Sequence, residues 1–169
     1  MIINHSVNTN SFIYCSVYQS PYEQTNYYNA GNGHFHKSIY LIEGTATYAF
    51  SDTLESQGTE EFKTLESDIL TDISDSQGKY VITKTGSTGA SMFMLNPIPE
   101  TKQLDIEIVK GAYSKEITAG AKRVTVICLT GPIIIKDKIL SSMQYAVVFA
   151  NTSASLILPE NSVCALVTG

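Results

Sequence analysis

The chain has 169 residues, 43% of them apolar, and its formal net charge is −5 with only 16% charged residues. This apolar fraction supports a packed core and argues against a disordered chain. No apolar run approaches the roughly 18 residues of a membrane-spanning helix, and no basic stripe offers contacts to phosphates. The composition therefore predicts a globular protein that binds neither membranes nor nucleic acid.

The N-terminal residues and the cysteines indicate the compartment. The first twelve residues, "MIINHSVNTNSF", contain no basic segment followed by a long apolar one, which argues against a signal peptide. Cys15, Cys128 and Cys164 are odd in number and lack C-x-x-C spacing, as expected of free thiols in a reducing compartment. We expect a cytoplasmic protein.

Short apolar or alternating runs, separated by turn residues, recur along the whole chain and predict strands. One stretch, 58–75, instead has apolar residues three or four positions apart, which predicts a helix or a loop with a helical turn. Without β-α-β alternation, the pattern favours an all-β sandwich or barrel with little helix. The predicted strands are 11–18, 39–42, 45–50, 80–83, 91–95, 104–109, 124–129, 133–135, 145–149, 156–158 and 163–167.

Two segments of the chain resemble each other. "GHFHKSIYLIEG" (33–44) aligns without gaps to "GAKRVTVICLTG" (120–131), and each is followed by a further strand. Strand, glycine, strand predicts a hairpin turn at Gly44 and at Gly131. The glycine-rich "TKTGSTGAS" (83–91) likewise predicts a hairpin tip. The alignment predicts two small β units, 1–98 and 99–169, with chance similarity over twelve residues as the alternative.

The order Gly, His-x-His, apolar strand and closing Gly in 33–44 resembles the first motif of the cupin superfamily, especially in "YLIEG". The second half, with "LPENS" between two apolar runs, resembles the later strands of a cupin. The resemblance implies a compact two-repeat cupin: a double-stranded β-helix, or jelly-roll barrel, with the His-x-His motif in 1–98. It also implies a homo-oligomer associating through its sheets.

The metal motif departs from the family pattern. A cupin with a full metal site has a Glu after the His pair and a further His in a second motif. Here Lys37 or Tyr40 stands where the Glu is expected, and no histidine follows His36. His34 and His36 therefore predict either one divalent transition metal or no cofactor, in which case they are structural or bind a ligand directly.

Three further residue groups are candidates for ligand binding. His34, His36 and Tyr40 share one face of a strand because alternate residues point the same way. Arg123 takes the place of His36 in the second copy and predicts a contact to an anionic group, with a surface arginine as the alternative. Tyr27 and Tyr28 predict a ligand-stacking lip, a partner surface, or a strand edge packed on the barrel.

The preserved strand pattern and the incomplete metal motif favour a non-catalytic module. We expect it to sequester or sense a small polar or anionic molecule in the barrel pocket near His34 and His36. One alternative, implied by the resemblance, is a metal-dependent cupin enzyme: a sugar isomerase or epimerase, or a dioxygenase. The other is a structural protein that forms a homo-oligomer.

Overall fold

The computed structural model describes residues 3–9, 13–29, 38–53, 55, 58–73, 80–97 and 104–169. Every regular element in this part of the chain is a β-strand, so the prediction of an all-β protein is confirmed. The chain forms two compact units, Met1–Thr101 and Lys102–Gly169. The predicted boundary between residues 98 and 99 lies outside the described residues. The described residues contain no helix with the length and apolarity to cross a membrane.

The first unit is built around two long antiparallel strands, β4 and β7, which pair with each other along most of their length. β2 pairs with the second half of β7, and β3 pairs with its first half. The short strands β5 and β6 pair with the two ends of β4. The strands are β1 Ile3–Thr9, β2 Ile13–Ser20, β3 Thr25–Asn29, β4 Ser38–Ser51, β5 Lys63–Thr64, β6 Leu70–Asp72 and β7 Tyr80–Pro97.

The glycines of the first unit bend these long strands and do not reverse them. Gly44 lies inside β4, at a register shift opposite Ala90, with φ +85°, a backbone conformation that glycine adopts without strain. Gly89, with φ +79°, lies inside β7 at the same point. The hairpin turn predicted at Gly44 and the hairpin tip predicted for 83–91 are therefore wrong. A single residue with positive φ makes a bulge that bends a strand, whereas the favoured two-residue hairpin needs a complete turn.

The second unit has two four-stranded sheets with the orders β13-β10-β15-β8 and β12-β11-β14-β9. Gly131 connects β10 to β11, which belong to different sheets, so the hairpin predicted there is also wrong. The strands are β8 Asp105–Lys110, β9 Tyr113–Thr118, β10 Val124–Thr130, β11 Ile133–Ile135, β12 Lys138–Leu140, β13 Tyr145–Val148, β14 Ser153–Leu158 and β15 Val163–Thr168.

The two units follow one strand plan, which confirms the predicted repeat. In the first unit Ile39 lies opposite Met94 on one side and Thr71 on the other. At the aligned position, Val126 lies opposite Leu166 and Ala146 in the same arrangement. The strand halves before and after Gly44 thus correspond to β10 and β11, and β2 and β3 correspond to β8 and β9.

The stretch 58–75, predicted as a helix or a loop with a helical turn, contains no helix in its described residues, 58–73, so the helix is wrong. The described residues of this stretch form the short strands β5 and β6 and the turns beside them. Leu65 and Ile73 are buried at 3% and 1% exposure, but Ile69 is 49% exposed, so the apolar residues do not share one face. The Leu65 N–H donates to the Ala46 carbonyl at 2.9 Å, which ties the chain to β4. Pairing with β4 outweighs the helical spacing, because local propensity is weak against tertiary contacts.

Each unit encloses an apolar core. The strand before Gly44 in the first unit and the strand before Gly131 in the second are buried on both faces. Ile39 and Leu41 belong to the core of the first unit, and Val126 and Cys128 belong to that of the second. Ser38 through Leu41 and Val124 through Leu129 are all buried, as in strands covered on both sides.

Candidate functional site

The two histidines of the predicted metal and ligand site, His34 and His36, lie outside the described residues. Among the residues that are described, no three histidine, cysteine, aspartate or glutamate side chains form a group that could hold a metal ion. The metal and ligand roles of the histidine pair remain predictions.

Tyr40 lies on the face of β4 opposite to Ile39 and Leu41, because neighbouring residues of a strand point to opposite sides. It is 1% exposed and faces Phe93, which is fully buried, across the β4–β7 ladder. Burial raises the pKa of Tyr40 above its usual value of 10.0, so the phenol is neutral at physiological pH. The side chain is therefore directed away from the core of the first unit that the predicted pocket was expected to adjoin.

Tyr27 and Tyr28 point in opposite directions from β3. Tyr28 is 7% exposed and lies in the core of the first unit, where its ring meets that of Tyr18 edge-on with centroids 4.5 Å apart. Burial raises the pKa of Tyr28, and the nearby Thr83 side chain partly opposes this shift. Tyr27 is partly exposed on the outer face. The ligand-stacking role of Tyr27 and Tyr28 remains a prediction.

Arg123 lies directly before β10 and is partly exposed. Its carbonyl accepts a hydrogen bond from the Gly169 N–H at 3.3 Å. The face of β10 that enters the core carries Val124, Val126 and Cys128. The contact of Arg123 with an anionic group remains a prediction.

A residue that the sequence analysis missed, Ser16, lies on the inner face of β2. It is fully buried directly opposite Met94, and Ile39 follows on the other side of Met94 in the same row. The Ser16 hydroxyl has no hydrogen-bond partner among the described residues. Its position two residues before Tyr18 could have indicated it, because alternate residues of a strand lie on the same face.

The second unit has an open cleft between β8 and β9, which the sequence analysis also missed. Its volume is about 480 Å³, and its lining includes four charged residues, Asp105, Glu107, Lys115 and Glu116. Val124 and Leu166, 7% and 6% exposed, form part of its inner wall. We call this the β8–β9 cleft. The sequence of β8, "DIEIVK", did not indicate the cleft. Its isoleucines predict an ordinary strand, and its carboxylates are typical of the solvent-exposed face of such a strand.

The first unit carries aromatic side chains where the second unit carries aliphatic ones. The register places Tyr18 of β2 opposite Met92, as it places Val109 of β8 opposite Cys164. Where Tyr18 and Tyr28 meet in the first unit, the second unit has smaller aliphatic side chains at the equivalent positions.

Comparisons with known proteins identify the fold. No family model and no curated protein matches the sequence. Among solved structures, HutD from Pseudomonas fluorescens SBW25 is 16% identical, with a TM-score of 0.62 over 92% of this chain and 77% of HutD. A conserved protein of unknown function from Pseudomonas aeruginosa PAO1 is 12% identical, with a TM-score of 0.68 over 98% of this chain and 86% of its own.

A third solved structure is that of a cupin barrel domain. The cupin 2 conserved barrel domain protein from Leptotrichia buccalis is 12% identical, with a TM-score of 0.55 over 99% of this chain and 88% of its own. Similarity at these identities concerns the fold alone. Together with the two units of matching strand order, it shows that the chain has the cupin fold, formed from two repeats.

Proposed function

We propose that this protein is a non-catalytic module that binds a small polar or anionic molecule in its first unit. The observation that carries the proposal is the Ser16 hydroxyl, which is fully buried on the inner face of β2 without a hydrogen-bond partner among the described residues. Leaving a buried hydroxyl unpaired costs about 1–3 kcal/mol. A ligand atom that bonds this hydroxyl would offset that cost.

The surroundings of Ser16 support a site for a small organic molecule. Tyr18, two residues along the same inner face, forms the aromatic pair with Tyr28. Apolar and aromatic walls with a few placed polar groups are typical of small-molecule pockets, and barrel interiors are common places for them. In the sequence, His36 precedes Ser38, the first residue of β4, by two positions. His34 and His36 are sequence-based candidates for the polar contacts to the ligand.

The test is native mass spectrometry, with metal analysis, of the protein purified from its own cells. We expect a co-purified small molecule on the full chain and a lower occupied fraction in the Ser16→Ala variant. Loss of one hydrogen bond of about 1.4 kcal/mol corresponds to tenfold weaker binding. Thr125→Val is the matched control, because the Thr125 hydroxyl is equally buried and unpaired among the described residues but lies in the second unit, on the face of β10 opposite to the core residues Val124 and Val126.

Two outcomes would overturn the proposal. One is a protein that carries no small molecule in any preparation. The other is a stoichiometric metal that disappears in the His34→Ala, His36→Ala double variant, which would support the metal-dependent enzyme expected as the alternative. The same spectra report the mass of the assembly and so test the expected homo-oligomer.

A further inference from the structure

The β8–β9 cleft is a consequence of how two consecutive strands separate. β8 and β9 are joined through Gly111 and Ala112, but β8 pairs with β15 and β9 pairs with β14, in different sheets. The Gly111 N–H donates to the Ser162 carbonyl at 2.9 Å, which fixes the link. A Cβ at Gly111 would meet the Pro159 carbonyl, so the link also lies close against the β14–β15 turn. The residues of β8 and β9 that line the cleft lie away from this link, toward the other ends of the two strands.

The two walls of the cleft carry charges of both signs: β8 contributes Asp105 and Glu107, and β9 contributes Lys115 and its neighbour Glu116. Val109 is buried in the core of the second unit, so Asp105 and Glu107, at alternate positions of β8, point to the same inner side. Along a strand such positions are about 7 Å apart, which brings two exposed carboxylates to one wall. On β9, Ile117 is buried in the core, and Lys115 shares its face. All four charged residues line the same cleft.

The inner wall between these charges is apolar. Val124, Leu166 and Ile117 all line the cleft and belong to the core of the second unit. Leu166 lies directly opposite Glu107, and Val124 lies two residues from the ladder position of Leu166. A volume of about 480 Å³ is within the range of small-molecule sites.

From this arrangement we infer that the β8–β9 cleft is a second ligand site, which binds an amino acid with an apolar side chain. The ligand ammonium pairs with Glu107 and Asp105, the ligand carboxylate pairs with Lys115, and the side chain covers the apolar wall. An anion without an ammonium group would face three carboxylates and one lysine, so net repulsion opposes it. A purely apolar molecule would leave these charges without partners in the covered cleft.

The experiment is isothermal titration calorimetry on the full chain. The probes are L-leucine, L-methionine and L-phenylalanine, with 4-methylpentanoate as leucine without its amino group and 3-methylbutylamine as leucine without its carboxylate. We expect at least one amino acid to bind, and both truncated leucine analogues to bind at least tenfold more weakly than leucine. No heat from any of the three amino acids at millimolar concentration would overturn the inference.

Variants assign the charges to the two ends of the ligand. Glu107→Gln should weaken the binding of the amino acid and of 3-methylbutylamine about tenfold, because both carry the ammonium group. Lys115→Met should weaken the binding of the amino acid and of 4-methylpentanoate about tenfold, because both carry the carboxylate. Glu160→Gln and Lys122→Met, exposed residues of the same unit outside the cleft lining, should change nothing. Equal losses in cleft and control variants would overturn the inference.

The Ser16→Ala variant separates this site from the proposed first-unit site. It should leave amino acid binding unchanged while lowering the occupancy by the co-purified molecule. If Ser16→Ala abolishes amino acid binding and Glu107→Gln does not, the amino acid occupies the first unit, which contradicts the second site and supports the first.

Discussion

Replacing Gly44 by alanine tests the bend of β4 quantitatively. A Cβ at this position would meet the Gly89 carbonyl oxygen and lie 2.7 Å from the Ala90 Cα. Both are backbone atoms of β7, so one of the two long strands must shift. Positive φ costs an L-residue roughly 1–2 kcal/mol, and forcing extra atoms into a packed region costs about 1–3 kcal/mol more. We expect Gly44→Ala to lower the free energy of unfolding by roughly 2–5 kcal/mol.

Two other glycines separate the contributions to this loss. Gly58 also has positive φ, at +74°, but nothing lies within 4 Å of a Cβ there, so Gly58→Ala should cost only the strain of roughly 1–2 kcal/mol. Gly120 has open space and no positive φ, so Gly120→Ala should stabilise by about 0.4–1 kcal/mol by restricting the unfolded chain. Urea denaturation at equilibrium measures all three. A Gly44→Ala loss no larger than the Gly58→Ala loss would refute the close contact of β4 with β7.

Three further predictions concern buried polar and aromatic groups. Ser16→Ala should raise the stability of the ligand-free protein by about 1–3 kcal/mol, because it removes a buried unpaired hydroxyl; thermal melting after ligand removal tests this, and a lower melting temperature contradicts it. Tyr28→Phe should cost under about 1.5 kcal/mol because the contact with the Tyr18 ring survives, whereas Tyr28→Ala should cost about 3–5 kcal/mol in urea denaturation; equal losses would exclude a role for ring packing. Burial raises the pKa of Cys128 to about 11 and of Cys164 to about 12. The contribution of the two protonated thiols to the free energy of unfolding is therefore complete below about pH 8.5, the usual thiol pKa. As the pH rises from there toward the two raised values, only the unfolded chain loses these protons, so the free energy of unfolding falls by up to about 1.4 kcal/mol per pH unit and thiol. Unfolding midpoints between pH 8 and 11 measure the effect, and an unchanged slope in Cys128→Ala would contradict it.

The aligned segments 33–44 and 120–131 predicted the repeat correctly because the apolar pattern records which strand positions enter a core. Ile39 and Val126, matched by sequence alone, have equivalent neighbours on both sides. The same segments did not reveal what Gly44 and Gly131 do. A glycine that bends a strand and a glycine that reverses it look alike in sequence, since both need only backbone freedom.

The candidate sites were harder to predict because they depend on which face of a strand is covered. Tyr40 was expected to bind a ligand from the strand face that it shares with His34 and His36. Both faces of its strand are buried, and an apolar run buried on both sides does not indicate which face meets a pocket. Asp105, Glu107 and Lys115 form a group only because β8 and β9 join different sheets. That separation is decided by pairing with residues about 40 to 60 positions later in the chain, which no local pattern contains.

The separation of β8 and β9 also sets the order in which this part of the protein can form. During synthesis both strands are made before either partner, because β14 and β15 are the last two strands of the described chain. Pairings between residues so distant in sequence are slow, since the loop between them must close before any contact is gained. The β8–β9 cleft is therefore a late product of folding, and its charged walls remain in water until the closing strands are in place.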